Sequence, residues 1–171
     1  DLDLSPRHTD LVGEHVDVAI RLGGVKDEQL VARRIGAIEQ ALFASPAYLD
    51  LRGRPIQPAD LVEHECIFVR NPQRQALWQL QRDGESAQVA VRGRFMVNNL
   101  GLMRLLAERG MGIAALAPQL VREAVAQERL VQVLQEWGVP RLPIQAVMSS
   151  RLQPASVKVL VDFLAARLAL L

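Results

Sequence analysis

At 171 residues, half of them apolar and 23% charged, the chain has the composition of one globular domain or of two small lobes on one chain, not of a disordered segment. Lys+Arg (20) nearly balances Asp+Glu (19) and only 4% of residues are aromatic, which excludes a protein whose main work is neutralising phosphates or stacking bases. A single cysteine, Cys66, excludes an intrachain disulfide and a Cys-rich metal site, and no apolar run approaches the roughly 20 residues of a membrane span.

The chain opens on Asp1, without Met and without a secretory pattern, so its first residue is read as a cut or processed end with further sequence upstream. Leu2–Ser5 alternates and predicts a short strand, and Arg7–His15 offers Leu11 and Val12 on one helical face. Val16–Leu22 places Val16, Val18, Ile20 and Leu22 on one side of a strand that Gly23-Gly24 ends. Together these predict a strand-helix-strand unit with a parallel pair. Gln40–Ala44 predicts a strand, followed by a short helix with Ser45 as N-cap, Pro46 at its first position and Gly53 closing it. Pro58–Leu61 begins a further helical turn before the apolar strand Cys66–Val69.

Two strands around Trp78–Gln81 and Ala87–Val91 flank Asp83-Gly84, a pair suited to a tight hairpin because both residues tolerate positive φ; the second arm is expected to run on through Gly93 to Val97. Asn98-Asn99 precedes a helix with Leu102, Leu105 and Leu106, stopped by Gly110; the strand Ile113–Ala117 and a helix opened by Pro118 follow. Leu130–Leu134 and Ile144–Met148 predict two more strands, with Gly138–Pro143 the most linker-like stretch between them. The last helix starts near Pro154 and carries Val157, Leu160, Val161, Leu164 and Leu168 on one stripe. This alternation predicts an α/β fold with mostly parallel sheets.

Several of these segments, in order and across nearly the whole chain, resemble the effector-binding region of LysR-type bacterial transcriptional regulators. They are Asp10–Gly23 (DLVGEHVDVAIRLG), Leu30–Gly36, Ala44–Leu49 (ASPAYL), Pro58–Cys66 (with Asp60, Leu61, His64 and Cys66), Val97–Asn99 with Gly110–Ala114, and Arg129–Leu134. The resemblance implies two Rossmann-like lobes of the type 2 periplasmic-binding-protein fold. Lobe I would hold about residues 1–33 and 133–171 and lobe II about 34–132, with crossings near Leu30–Arg34 and Leu130–Leu134. It further implies that the winged helix-turn-helix, and the first strand and helix of the sensing region, lie upstream of Asp1. Its implied function is small-molecule effector sensing and oligomerisation, as dimer or tetramer, for a cytoplasmic regulator that reaches promoter DNA only through the missing N-terminal domain. Asn99 and Ala117 depart from the family's usual acid and Leu. A periplasmic-type solute-binding protein for transport is the alternative of the same fold.

Four places are candidates for the effector, the first because ligands of open α/β sheets bind at the carboxyl ends of strands. Ser5, Pro6 and Arg7 follow the first predicted strand; an exposed turn capped by Ser5 is the plain alternative. Arg21, Leu22 and Gly23 end the next: the glycine admits a ligand to the backbone, and Arg21 suits a carboxylate or is structural. Asn98 and Asn99 start a helix whose free amides and dipole suit an anion, beyond the cap Asn99 supplies in any case. Gly112 and Ile113 open a strand after a tight turn, where glycine serves a ligand or simply ends the preceding helix. Arg7, Arg21 and Asn99 would together suit a carboxylate or a polarised aromatic.

His64-Glu65-Cys66 has the residue types of chemistry but not the spacing: the second His of a zinc-protease helix is missing, and residues two apart on a strand share a side without facing each other. A buried Cys66 beside a surface Glu65 is expected. His8 and His15 make a poor metal site on their own. No cofactor, metal site or enzymatic activity is expected, and no membrane association. The helices Leu100–Arg109 and Arg7–His15 are the expected interface elements, by the same resemblance.

Overall fold

The computed structural model describes residues 1–4, 11, 13–24, 29–69, 76–150 and 152–169. In chain order its elements are β1 (Ala19–Leu22), β2 (Val31–Ala44), α1 (Pro46–Arg52), a 3-10 turn (Pro58–Glu63), β3 (Cys66–Val69), β4 (Ala76–Arg82), β5 (Glu85–Val91), β6 (Met96–Val97), α2 (Leu100–Glu108), β7 (Ile113–Leu116), α3 (Pro118–Ala126), β8 (Val131–Val133), β9 (Val139–Met148) and α4 (Ala155–Leu168). They fall into two compact units, residues 1–38 with 141–171 and residues 39–140. The chain passes between the units twice, inside β2 and inside β9. The segments Leu30–Arg34 and Leu130–Leu134 lie upstream of these two points.

In the 39–140 unit, the second half of β2 pairs antiparallel with β7 and β8, while β3 lies parallel to both β7 and β6. The sheet is buried on both faces, so its strands read as continuous apolar runs and period two sorts them by face. Leu42, Cys66, Phe68 and Ile113 face a cluster with Tyr48 and Leu49 of α1, Leu61 of the 3-10 turn, and Leu80, Val89 and Val91 of the hairpin. Phe43, Ile67, Ala114 and Leu116 face the opposite cluster, closed by Met103 and Ala107 of α2 and Val121 and Ala124 of α3.

Local chemistry sets the ends of these elements. The Ser45 hydroxyl accepts the Tyr48 amide at 3.2 Å, with Pro46 at the first helical position. The β4–β5 hairpin turns at Asp83 (φ 48°) and Gly84 (φ 86°), both left-handed, as a two-residue loop requires. Glu108 at the end of α2, its side chain only 7% exposed, is hydrogen-bonded by Arg129, which follows α3, and stands 3.0 Å from Arg104 of its own helix.

Close backbone approach governs the start of β3. Glu65 and Cys66 lie between Gly112, ahead of β7, and Gly93, ahead of β6. The Ile113 amide donates to the Glu65 carbonyl (2.8 Å) and the Cys66 amide to the Arg92 carbonyl (2.8 Å). A Cβ at Gly93 would stand 1.8 Å from the Cys66 oxygen, and one at Gly112 2.3 Å from the Glu65 oxygen, where Gly112 also holds φ at 145°. No side chain fits at either position.

In the unit of residues 1–38 and 141–171, β1 pairs antiparallel with β9, from Ala19 opposite Val147 to Leu22 opposite Ile144. The core is Ile35, Ile144, Ala146 and Met148 under Val157 and Val161 of α4, and Arg33 bridges to Asp162 of that helix at 2.6 Å.

The α/β class is as expected, but the sheets are mixed. β3 pairs parallel with β6 and β7, whereas β2 runs antiparallel to β7 and β8 and β9 antiparallel to β1. Leu2–Leu4 forms no strand; Leu2 and Leu4 are more than 90% exposed, and two alternating leucines without a partner bury nothing. The expected strand from Val16 is ordered as β only from Ala19, and the second arm of the hairpin ends at Val91, with β6 a separate strand. The linker-like Gly138–Pro143 mostly belongs to β9, and it contains the second passage between the units. Most of the expected helix Arg7–His15 lies outside the described residues.

Gly93→Ala and Gly112→Ala are each expected to lower the unfolding free energy by more than about 3 kcal/mol, as steric clashes with backbone do. Gly24→Ala, where an added Cβ meets nothing within 4 Å, should cost less than about 1 kcal/mol. Urea unfolding of the three variants checks both.

Candidate functional site

Parallel pairing of β3, β6 and β7 brings the carboxyl ends of three strands to one edge of the 39–140 unit. The registers are Phe68 opposite Met96, Val69 opposite Val97 and Ile67 opposite Ala114. At this edge β6 leads through Asn98 and Asn99 into α2, and β7 leads through Ala117 into α3. Two helix N-termini therefore follow directly from strand ends, the arrangement in which open α/β sheets hold ligands.

Asn99 is the N-cap of α2. Its side-chain oxygen accepts the Leu102 amide at 2.9 Å and its carbonyl the Met103 amide at 3.0 Å. The amides of Leu100 and Gly101 have no hydrogen-bond acceptor among the described residues, and they lie at the positive end of the helix dipole. Asn98 is exposed beside them. The edge thus offers backbone donors, two side-chain amides and a positive dipole, which suit a carboxylate or a polar carbonyl.

Arg21, Leu22 and Gly23 are brought together at the end of β1, in the other unit. Gly23 takes φ 92° and its amide donates to the Pro143 carbonyl at 2.9 Å. Arg21 is half-buried and Leu22 is 46% exposed. Gly112 and Ile113 have a different use: the close approach Gly112 permits is to the Glu65 backbone, and Ile113, with its side chain 0% exposed, gives its amide to Glu65. Ser5, Pro6 and Arg7 lie outside the described residues.

The His64–Cys66 stretch is inert as chemistry but is not simple packing. Cys66 is 1% exposed, and its thiol is pushed up to about 12, first by burial and then by the nearby Glu65 carboxylate. Glu65 is half-buried, its carboxylate accepting the Arg94 amide at 3.0 Å. The Tyr48 hydroxyl accepts the Glu65 amide at 2.9 Å and stands 3.1 Å from His64 Nδ1. Burial raises the Tyr48 hydroxyl above its ordinary pKa and lowers that of His64. Asp60, by contrast, is held low by the amides of Ile56 (2.8 Å) and Gln57 (3.0 Å), which it caps. Sequence reasoning missed the Tyr48–His64–Glu65 network, since Tyr48 and His64 are 16 residues apart.

Among the described residues, no group of three or more His, Cys, Asp or Glu is placed to hold a metal ion. A shallow depression of about 460 Å3 at the hairpin tip is lined by Arg82, Asp83, Glu85 and Glu136. Its charges are already engaged with one another: Arg82 reaches Glu85 at 3.3 Å and Glu136 at 3.4 Å, and stacks over Trp137 at 4.6 Å.

A mixed α/β chain in two units, with helix N-termini placed at strand ends, belongs to the type 2 periplasmic-binding-like class of ligand-binding folds. Within that class the chain is a member of the LysR substrate binding domain family, whose sequence profile matches residues 1–169. It is 34% identical over 158 residues to the HTH-type transcriptional regulator PtxR of Pseudomonas aeruginosa, covering 91% of this chain and 50% of that protein. The full-length structure of the Vibrio cholerae virulence activator AphB, a member of the LTTR family, matches with a TM-score of 0.72 at 30% identity, over 98% of this chain and 57% of that one. The CrgA regulatory domain from Neisseria meningitidis matches with a TM-score of 0.70 at 26% identity, over 92% of this chain and 78% of that one. The chain spans about half the length of the curated relatives it matches. No described helix is long and apolar enough to cross a membrane.

With its thiol moved from the ordinary value near 8.5, Cys66 should carry on the order of a thousandfold less thiolate than a free cysteine. Its reaction with a thiol reagent at pH 8 is expected to track unfolding of the chain; rapid stoichiometric labelling of the folded protein would contradict this.

Proposed function

We propose that this chain is the effector-sensing region of a DNA-binding transcriptional regulator in the cytoplasm. The observation that carries the reading is the match over nine-tenths of the chain to an HTH-type transcriptional regulator twice its length. Relatives of this kind favour a regulator over a transport receptor of the same fold. In this reading promoter DNA is contacted by a helix-turn-helix region outside these 171 residues, and the regulator works as a dimer or tetramer. Among the described residues no convergent set of acid, base and nucleophile is brought together, and in this reading the ligand is sensed, not transformed.

The effector is a small carboxylate or a polarised aromatic. In the 39–140 unit, Asn98, Asn99 and the first-turn amides of α2 supply its donors. Arg21 with Leu22 and Gly23, at the end of β1 in the other unit, is a separate candidate of the same chemistry, a cation beside an accessible backbone. Ser5, Pro6 and Arg7 remain assigned to the same role, and Gly112 and Ile113 contribute by fixing the strand beside the edge. The effector shifts the regulator between states only by its differential affinity for them.

Asn99→Asp separates the two roles of Asn99. Aspartate keeps the capping oxygen, so stability should change by less than about 0.5 kcal/mol, whereas Asn99→Ala should cost about 1 kcal/mol. Against a panel of small carboxylates read by thermal shift, the added negative charge should weaken binding by about tenfold or more. If no small molecule alters the stability of this chain or the DNA binding of the full-length regulator, the reading is overturned.

A further inference from the structure

We infer that the Tyr48–His64 pair is a proton-operated latch, in which uptake of one proton by His64 releases α1 from the start of β3 while the rest of the unit stays folded. The argument rests on the hydrogen-bond roles around one oxygen. The Tyr48 hydroxyl oxygen already accepts the Glu65 amide at 2.9 Å, so its own proton points to the one remaining partner, Nδ1 of His64 at 3.1 Å. His64 must then be neutral, with Nδ1 the acceptor and its proton on Nε2. A second proton, placed on Nδ1, turns that acceptor into a donor. Two donors face each other, and the hydroxyl proton of Tyr48 has nowhere to go inside a site where Tyr48 is 4% and His64 7% exposed.

The elements joined here have few other polar ties. Tyr48 belongs to α1, whose N-cap Ser45 holds the Tyr48 amide, and the Glu65 amide is the last donor before β3 begins. His64 ends the 3-10 turn, its own amide bonded to the Leu61 carbonyl at 3.2 Å. The charges around it are mixed. Asp60 and Glu63 on its own turn favour the imidazolium, while Arg52 of α1 opposes it. Glu65 is turned to Arg94 and Glu63 to Arg92, and Cys66 beyond them is a neutral thiol. From β5, packed on the 3-10 turn, the ionisable Glu85 is paired with Arg82 at the hairpin tip.

Burial depresses the proton affinity of His64 in the closed latch relative to the open one. The latch therefore closes fully above the ordinary histidine pKa of about 6.5, and its closing is lost progressively as the pH falls below that value. This step is independent of which ligand the domain takes. Through Ile67 and Val69 it reaches the strand that carries the ligand-binding edge, and that connection rests on the reading above.

Amide hydrogen exchange on the whole chain between pH 7.5 and 5.5, corrected for intrinsic rates, tests the latch. In the wild type, amides of Glu65–Phe68 and α1 should open up to about tenfold more readily at pH 5.5, with α2 and α4 unchanged. His64→Asn, whose Oδ1 keeps an acceptor at the place of Nδ1 but cannot titrate, should abolish the pH dependence, and Tyr48→Phe should leave the segment open at both pH values. The C2 proton of His64, followed by NMR in the unaltered chain, should titrate below 6.5, and this readout needs no variant to fold. A His64 titrating at its ordinary value, a pH slope that survives in His64→Asn, or an increase spread evenly over α2 and α4 would each overturn the latch.

Discussion

The 39–140 unit depends on one backbone crossing, where Glu65 and Cys66 run between Gly93 and Gly112 with no room for a side chain on either flank. The carbonyl of Glu65 and the amide of Cys66 are bonded outward to Ile113 and Arg92 at this point. That pins the relative heights of β3, β6 and β7 through backbone contacts alone. A slip of one residue would exchange Cys66 and Phe68 with Ile67 across the sheet, and would move both apolar sets to the wrong cluster. The same registers decide where the strands end, and hence where α2 and α3 begin. The position of the edge where these strands end is in this sense a consequence of two glycines.

Charge is used sparingly in this unit, and mostly to hold helices rather than to stabilise by itself. Glu108 is nearly buried, Arg129 hydrogen-bonds one carboxylate oxygen, and the other stands 3.0 Å from Arg104 without hydrogen-bond alignment. Such a cluster adds little net stability over an apolar packing of the same shape, yet it disfavours any arrangement that separates its members. It ties the end of α2 to the loop after α3, the two helices whose starts follow the ends of β6 and β7. Exposed pairs such as Arg92 with Glu63, at 3.9 Å and both mostly in solvent, do no comparable work.

What the sequence made legible was local chemistry. Ser45 and Pro46, Asp83-Gly84 and Asn99 each announce a cap or a turn through atoms within three residues, and each is found doing that. Strand direction is not local. Alternation of apolar residues says which side faces in but not which way the neighbour runs, so the antiparallel pairing of β1 with β9 was invisible. The length of β2 was hidden for a related reason: most of it, with Arg33, Arg34, Gly36 and Glu39, is partly or fully exposed, and only Leu42–Ala44 at its end is buried on both faces. Within the candidate site, Asn98 and Asn99 could be read directly, because a helix start at a strand end is a pattern of residue types. That Gly112 serves the Glu65 backbone, and that Ile113 is fully enclosed, depends on a strand nearly fifty residues earlier. The Tyr48–His64 contact is of the same kind, made only once α1 has docked on the sheet.

The family match and the geometry constrain each other. In the proposed reading an effector needs donors held open, and the amides of Leu100 and Gly101 are such donors, beyond a cap that uses only the side-chain oxygen and carbonyl of Asn99. The lone cysteine, which could have supplied reactivity, is buried under Leu61 and Phe68 with its thiol pushed up to about 12. Its neighbour His64 spends its acceptor on Tyr48 instead of on a proton transfer. In His64-Glu65-Cys66, the His64 ring and the Glu65 amide are joined to Tyr48 of α1, the Glu65 carboxylate to the Arg94 amide, and Cys66 packs in the core. The proposed binding groups follow the opposite ends of this parallel set, whose registers are fixed from the Glu65–Cys66 crossing.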